Sequence, residues 1–297
     1  MPETISPKFD AFIAPARAYP QLWRLLCGLL FGAVIYYGLT LTFFFYAQIS
    51  GIRVFRALAG QGTPLETAVL LASFVTMAIA VAIVAKMFQK RGVLTLIGRD
   101  LQDVRTHFIV TATIVFAILV VWSGFSMLFY APEPNLPFTT WLAWLPVSLV
   151  LIFVQTTSEE LVFRGYIQQQ LAVRFRSRWV WMFLPSALFG LGHYDVESFG
   201  PNAWLVVANI TIFGLVAADL TARTGNLGAA MGLHFVNNMM VFLFIALKGD
   251  ISGLSLNVTP FSVADVDIIR ASLIGDLILV PVIYVICIRT LARRSLL

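Results

Sequence analysis

The sequence predicts an all-α membrane protein, a polytopic helical bundle of about eight transmembrane helices, on three observations. Hydrophobic residues fill 59% of the 297 positions and charged residues only 12%, where a soluble domain carries about 25% charged residues. Apolar runs of about 20 residues recur, the length that crosses the hydrocarbon core. The runs are continuous rather than alternating, which selects helices over barrel strands, the two structures that satisfy every backbone polar group in lipid.

The runs place spans at 22–46, 67–88, 107–130, 142–172, 179–194, 203–221, 227–247 and 268–290. The first follows a Pro-rich leader (Pro2, Pro7, Pro15, Pro20). It is longer than a signal-peptide apolar region and has no small-residue cleavage site after it, so a retained anchor is expected. The fourth is too long for a simple crossing and must tilt, kink or leave the membrane at its end. No repeat or long loop divides the chain, so 1–297 reads as one membrane domain. Its N-terminal spans (22–130) hold few polar residues, its chemistry is expected within about 140–250, and 268–290 closes the chain. The connections 47–66 and 248–267, rich in Gly, Ser, Pro and Asn, read as surface loops.

A net charge of +5 could suggest nucleic acid, but the basic residues sort by membrane side. With the N-terminus inside, the inner segments hold Lys8, Arg17, Arg24, Lys86, Lys90, Arg91, Arg99, Arg105, Arg174, Arg176, Arg178, Arg223, Arg289, Arg293 and Arg294, and the outer ones only Arg53, Arg56, Lys248 and Arg270. This positive-inside pattern puts both termini in the cytoplasm and makes the lipid bilayer, not nucleic acid, the partner. A bacterial inner membrane is the expected location. Cys27 and Cys287 lie near cytoplasmic span ends, where thiols stay reduced.

The polar residues of the later spans carry the chemistry. The fourth span contains Glu159-Glu160-Leu161-Val162-Phe163-Arg164, two carboxylates and a guanidinium in an apolar segment, where such groups are costly. Glu160 and Arg164 are four apart and share a helix face in the orientation that favours an ion pair. Glu159 is rotated by about 100° and faces elsewhere, into the bundle as a candidate general base. The alternative is a wetted helix end that the two acids solvate.

In the fifth span Phe189 and His193 are four apart, so the ring can restrict the imidazole, while Gly190 and Gly192 would let a neighbouring helix approach. His193 lies 14 residues into its span and Glu159 lies 13 before the end of the preceding one. At 1.5 Å per residue both sit about 20 Å from the connecting segment, so an antiparallel hairpin brings them level. In the seventh span His234 and Asn238 project on one face and could donate two hydrogen bonds to a single developing oxyanion; a polar clamp between helices is the alternative. His107, without such companions, reads as interfacial. Asp219 and Arg223 read as a local pair, Asn209 as a helix–helix clamp, and Asp276 has no assigned role.

In this order and on separate helices, Glu159-Glu160-x-x-x-Arg164, Phe189-x-x-x-His193 and His234-x-x-x-Asn238 resemble the three motifs of the CPBP family. That family includes the CAAX prenyl endopeptidases and the bacteriocin-processing, Abi-type membrane proteins. The resemblance covers about residues 140–250. It implies an eight-helix intramembrane protease of the glutamic type, acting on a peptide or a membrane-tethered protein. Glu159 would activate water, His193 would help bind and orient it, and His234 with Asn238 would form the oxyanion hole. Glu160 and Arg164 would support the first helix.

On this reading no cofactor is expected. In one alternative Glu159, His193 and His234 ligate zinc with water in the fourth position, although the chain lacks the His-Glu-x-x-His helix of common zinc proteases. In another the protein is a non-catalytic binder or scaffold, since buried carboxylates and histidines also make proton relays. Against transport, neither repeat symmetry nor a pair of interrupted helices is visible.

Overall fold

Eight apolar segments form the bundle in the computed structural model, which describes residues 6–297; Pro2 of the leader lies outside them. A short amphipathic helix α1 (Pro7–Ile13) precedes α2 (Leu22–Ile49), α3 (Pro64–Gln89), α4 (Leu101–Ser126) and α5 (Phe138–Ala172). Then come α6 (Trp179–Leu191), α7 (Ala203–Thr224), α8 (Gly228–Phe244) and α9 (Val266–Arg293). All but α1, α6 and α8 belong to runs long and apolar enough to cross a membrane. The helical membrane bundle expected from composition is therefore the observed architecture.

Local chemistry explains where the helix ends depart from the apolar pattern. Thr63 and Glu66 form a reciprocal capping box with Pro64 in the first turn, so α3 starts three residues before the expected position 67. Asp100 caps α4 by accepting from the Gln102 amide, so this helix begins at Leu101 rather than 107 and carries His107 into the bundle. His107 is buried, with its Nδ1 2.9 Å from Asn226 Nδ2 and its Nε2 2.9 Å from the Leu296 carbonyl. It is not the interfacial, companionless residue the sequence suggested; the partners come from positions far along the chain.

Three stretches read as loop or helix form a small sheet instead. Strands β1 (Glu133–Pro134), β2 (Ile245–Lys248) and β3 (Asn257–Ser262) pair in the order β1-β3-β2, antiparallel across β1/β3 and parallel across β2/β3. The seventh span thus ends at Phe244, not 247, because Ile245 turns extended to pair with Asn257. The leader is also structured: Phe9, Phe12 and Ile13 of α1 are buried, with the Phe9 ring 5.0 Å from that of Trp181.

Helix α8 is the inner element. Residues 228–234 are all buried, against α4, α5 and α7. Gly232 permits the approach to α4, since a Cβ there would lie 2.5 Å from the Phe108 carbonyl oxygen. On α7, Asn209 donates to the Leu273 carbonyl of α9 at 3.0 Å, the clamp expected of it. Asp219 pairs with Arg223 at 2.5 Å and also accepts from the Tyr284 hydroxyl. Cys27 and Cys287 are free thiols.

Of the two motif glycines on the fifth apolar segment, only Gly190 mediates close packing. A Cβ there would lie 2.3 Å from Thr211 Oγ1 and 2.6 Å from the Val207 carbonyl of α7, whereas at Gly192 the nearest atoms are Phe189 O at 3.3 Å and Leu188 O at 3.6 Å. Gly190→Val is therefore expected to cost about 1–3 kcal/mol by overpacking, read as a lowered thermal midpoint in detergent. Gly192→Ala should leave that midpoint within error; equal effects of the two would contradict this packing.

Candidate active site

The long fourth apolar segment is one continuous helix, as the hairpin argument required, but its winding changes after the two glutamates. Residues Leu161–Gln168 are wound as π turns, a local widening that recurs at functional sites. The Arg164 guanidinium still reaches back to Glu160: Nη1 donates to Glu160 Oε1 at 2.8 Å, with both side chains almost fully buried. Its Nη2 donates to the Gly214 carbonyl of α7 at 3.0 Å. Gly214 has no side chain for a reason, since a Cβ there would lie 2.9 Å from Ser186 Cβ and 3.2 Å from that same Nη2.

His234 joins the two carboxylates. Its Nδ1 is 2.8 Å from Glu160 Oε1 and its Nε2 is 3.4 Å from Glu159 Oε2. Glu160 is held ionised by Arg164, so it accepts, and Nδ1 carries the proton. A ring proton of His234 is thereby placed on Nδ1, and Nε2 faces Glu159. Glu159 and Glu160 both lie in the interior, and the reading of the acids as a wetted helix end fails.

The line of polar groups extends at its other end. Asn238 Nδ2 donates to Gln155 Oε1 at 2.8 Å, and the Gln155 side chain hydrogen-bonds Glu159. The polar groups thus run Asn238, Gln155, Glu159, His234, Glu160, Arg164, drawn from α5 and α8. The two donors expected to converge on one oxygen are engaged with neighbours in this state: His234 with the glutamates and Asn238 with Gln155.

Phe189 packs the third helix against this line. Its ring centroid lies 4.9 Å from those of His193 and Phe163 and 5.8 Å from that of His234, and the Arg164 guanidinium sits over it at 5.0 Å. His193 differs from expectation in depth: α6 ends at Leu191, so His193 lies in the exposed turn beyond it rather than on the helix. Its Nδ1 donates to the Phe189 carbonyl at 2.9 Å, which leaves Nε2 as an acceptor. Glu159 nonetheless interacts electrostatically with both His193 and His234.

Three contributors were not foreseen. Gln155 is four residues before Glu159, a spacing that could have revealed it. Phe213 of α7 packs its ring 5.3 Å from His234. Tyr36 of α2, which feels the charge of Glu159, comes from a span expected to be inert, and nothing local marked it. It helps line a cavity of about 270 Å³ with Val162 and Phe163. Asp276, by contrast, remains outside the site, near Tyr130. Among the described residues no three His, Cys, Asp or Glu side chains group as a metal site requires.

Residues 137–240 match the family model described as Type II CAAX prenyl endopeptidase Rce1-like. This segment resembles the Rce1-like family. The match contains every motif residue from Glu159 to Asn238 and bears out the resemblance read from the sequence. A Bacillus subtilis protein described as uncharacterized, YyaK, is 32% identical over 114 residues, or 38% of this chain and 37% of that one. The chain therefore matches little more than a third of that relative's length. No solved structure matches.

Within this segment the ion pair should be costly to break. Arg164→Met leaves Glu160 buried without its cation and is expected to cost about 3–5 kcal/mol. Replacing both, Arg164→Met with Glu160→Gln, should recover part of that loss. Thermal unfolding of the single and double variants checks the order; a single variant as stable as the native chain would contradict it.

Proposed function

We propose that this protein is an intramembrane endopeptidase in which Glu159 activates the attacking water. The observation that carries the reading is the buried polar line from Asn238 through Glu159 and His234 to Arg164, built within a segment that matches a CAAX-type protease family. A row of ionisable groups in lipid is costly and persists where it serves a function.

Glu159 takes a proton from water as the oxygen attacks the scissile carbonyl carbon, and later returns it to the leaving amine nitrogen. The His193 Nε2 lone pair accepts the water's other hydrogen and orients it. The oxyanion is stabilised from the opposite helix by Asn238 Nδ2 and by His234, whose Nε2 carries a proton as Glu160 balances the imidazolium charge. Asn238 must exchange Gln155 for the substrate oxygen, so its present hydrogen bond marks the state before substrate binds. No side chain in the set is a covalent nucleophile, which favours direct attack by water.

The substrate on this reading is a peptide or a membrane-tethered protein, with both termini of the protease cytoplasmic and the bacterial inner membrane as its site. Glu159→Gln preserves shape and hydrogen bonding but removes the base. The expected result is a fall in kcat/KM of about 10²–10⁴ against a panel of prenylated and unprenylated peptides in detergent, with an unchanged thermal midpoint. Equal cleavage by native and variant protein would refute the assignment. Activity lost to a chelator and restored by zinc would replace the metal-free mechanism with one in which Glu159, His193 and His234 are ligands.

A further inference from the structure

Arginines on three segments meet where α2 begins and α3 and α5 end, on the basic-rich side of the bundle. Arg91 follows Gln89 at the end of α3 and is only 6% exposed. Its Nη1 donates to Gln169 Oε1 at 2.5 Å, but Nε and Nη2 have no hydrogen-bond partner. Arg174, just past α5, reaches the carbonyls of Tyr19 and Gln21 with Nη2 and leaves its buried Nε without a partner. Arg24, in the first turn of α2, donates to the Phe88 carbonyl and likewise leaves Nε without one.

These cations are linked to one another. Arg91 and Arg174 repel each other and both act on Tyr166, whose hydroxyl accepts from Gln89, and Gln89 also bonds the Arg24 carbonyl. Among the described residues no carboxylate pairs with any of the three. Burial pulls the Arg91 guanidinium down to about 10 from its usual range. The helix C-termini account for part of this concentration of positive charge. They do not account for Arg91, because buried donors of a charged group are expected to be satisfied.

We infer that Arg91, with Arg174 and Arg24, binds the phosphate of an anionic membrane lipid. A phosphate supplies the paired acceptor oxygens that the planar guanidinium fork matches and the negative charge the three lack. Position makes a membrane lipid the source. Trp23, 55% exposed, and Leu22, 47% exposed, stand on α2 beside Arg24, and Arg24 itself lies over the Tyr19 and Trp23 rings at 4.7 and 4.8 Å. Aromatic residues of this kind mark the headgroup level, and basic pockets between helices there take acidic headgroups. Leu26, also exposed, continues an apolar track along which an acyl chain can lie. None of these residues touches the Glu159 site, so the binding stands or falls apart from the proteolytic reading.

The full chain, delipidated in dodecylmaltoside, is titrated with phosphatidylglycerol, phosphatidylcholine or inorganic phosphate while its thermal midpoint is followed. Phosphatidylglycerol is expected to raise the midpoint by about 5 °C, as a specific ligand near saturation does, and the other two to leave it unchanged. Arg91→Gln should abolish that rise. Equal shifts with both lipids, or a full rise in Arg91→Gln, would overturn the proposal; an equal shift with inorganic phosphate would overturn the lipid as its source. Should Arg91→Gln fail to fold, native mass spectrometry of the unmodified protein decides: preferential retention of phosphatidylglycerol over phosphatidylcholine supports the site, and equal retention overturns it.

Discussion

The structure depends on one buried electrostatic chain, in which Arg164 holds Glu160, Glu160 holds His234, and His234 faces Glu159. Each link exists because the next would be too costly alone. A carboxylate in a low-dielectric interior needs a cation and hydrogen bonds, and Arg164 supplies both. Once Glu160 is fixed as an ionised acceptor, it dictates which nitrogen of His234 bears a proton. That in turn decides what His234 presents to Glu159. The Glu159 carboxylate therefore faces a ring whose orientation is set two links away, at Arg164.

The packing around this chain serves it directly. Gly214 leaves room for the guanidinium and offers its carbonyl, while Phe189 lies against Arg164, His193 and His234 together. The close approaches at Gly190 and Gly232 bring α6 to α7 and α8 to α4. In lipid, where apolar contact alone gives helices little reason to associate, such small-residue contacts and polar clamps such as Asn209 set the arrangement. The first span lines, through Tyr36, a cavity shared with Val162 and Phe163 of α5.

How legible this was in the sequence varies with the range of the interaction. Eight apolar runs and the Glu160–Arg164 pair are local facts, set by composition and by a four-residue spacing, and both were readable. The positions of Glu159 and His234 also followed, because costly groups on apolar helices must face inward. What escaped was fixed by contacts between distant residues. His107 gained Asn226 and the Leu296 carbonyl only through folding, and Ile245 became a strand because Asn257 was there to pair with it. His193 was expected on the helix, whereas α6 ends at Leu191 and leaves it in the turn beyond. The π turns at Leu161–Gln168 were not anticipated, since no proline interrupts that stretch.

The chain contains three histidines, so nitrogen-15 NMR of histidine-labelled protein, assigned by substituting His107 and His193 in turn, tests the central claim most directly. The account requires a protonated Nδ1 on His234, hydrogen-bonded to Glu160. A bare Nδ1 with the proton on Nε2 alone would mean that Glu160 does not orient this imidazole, and the chain of control from Arg164 to Glu159 would be broken.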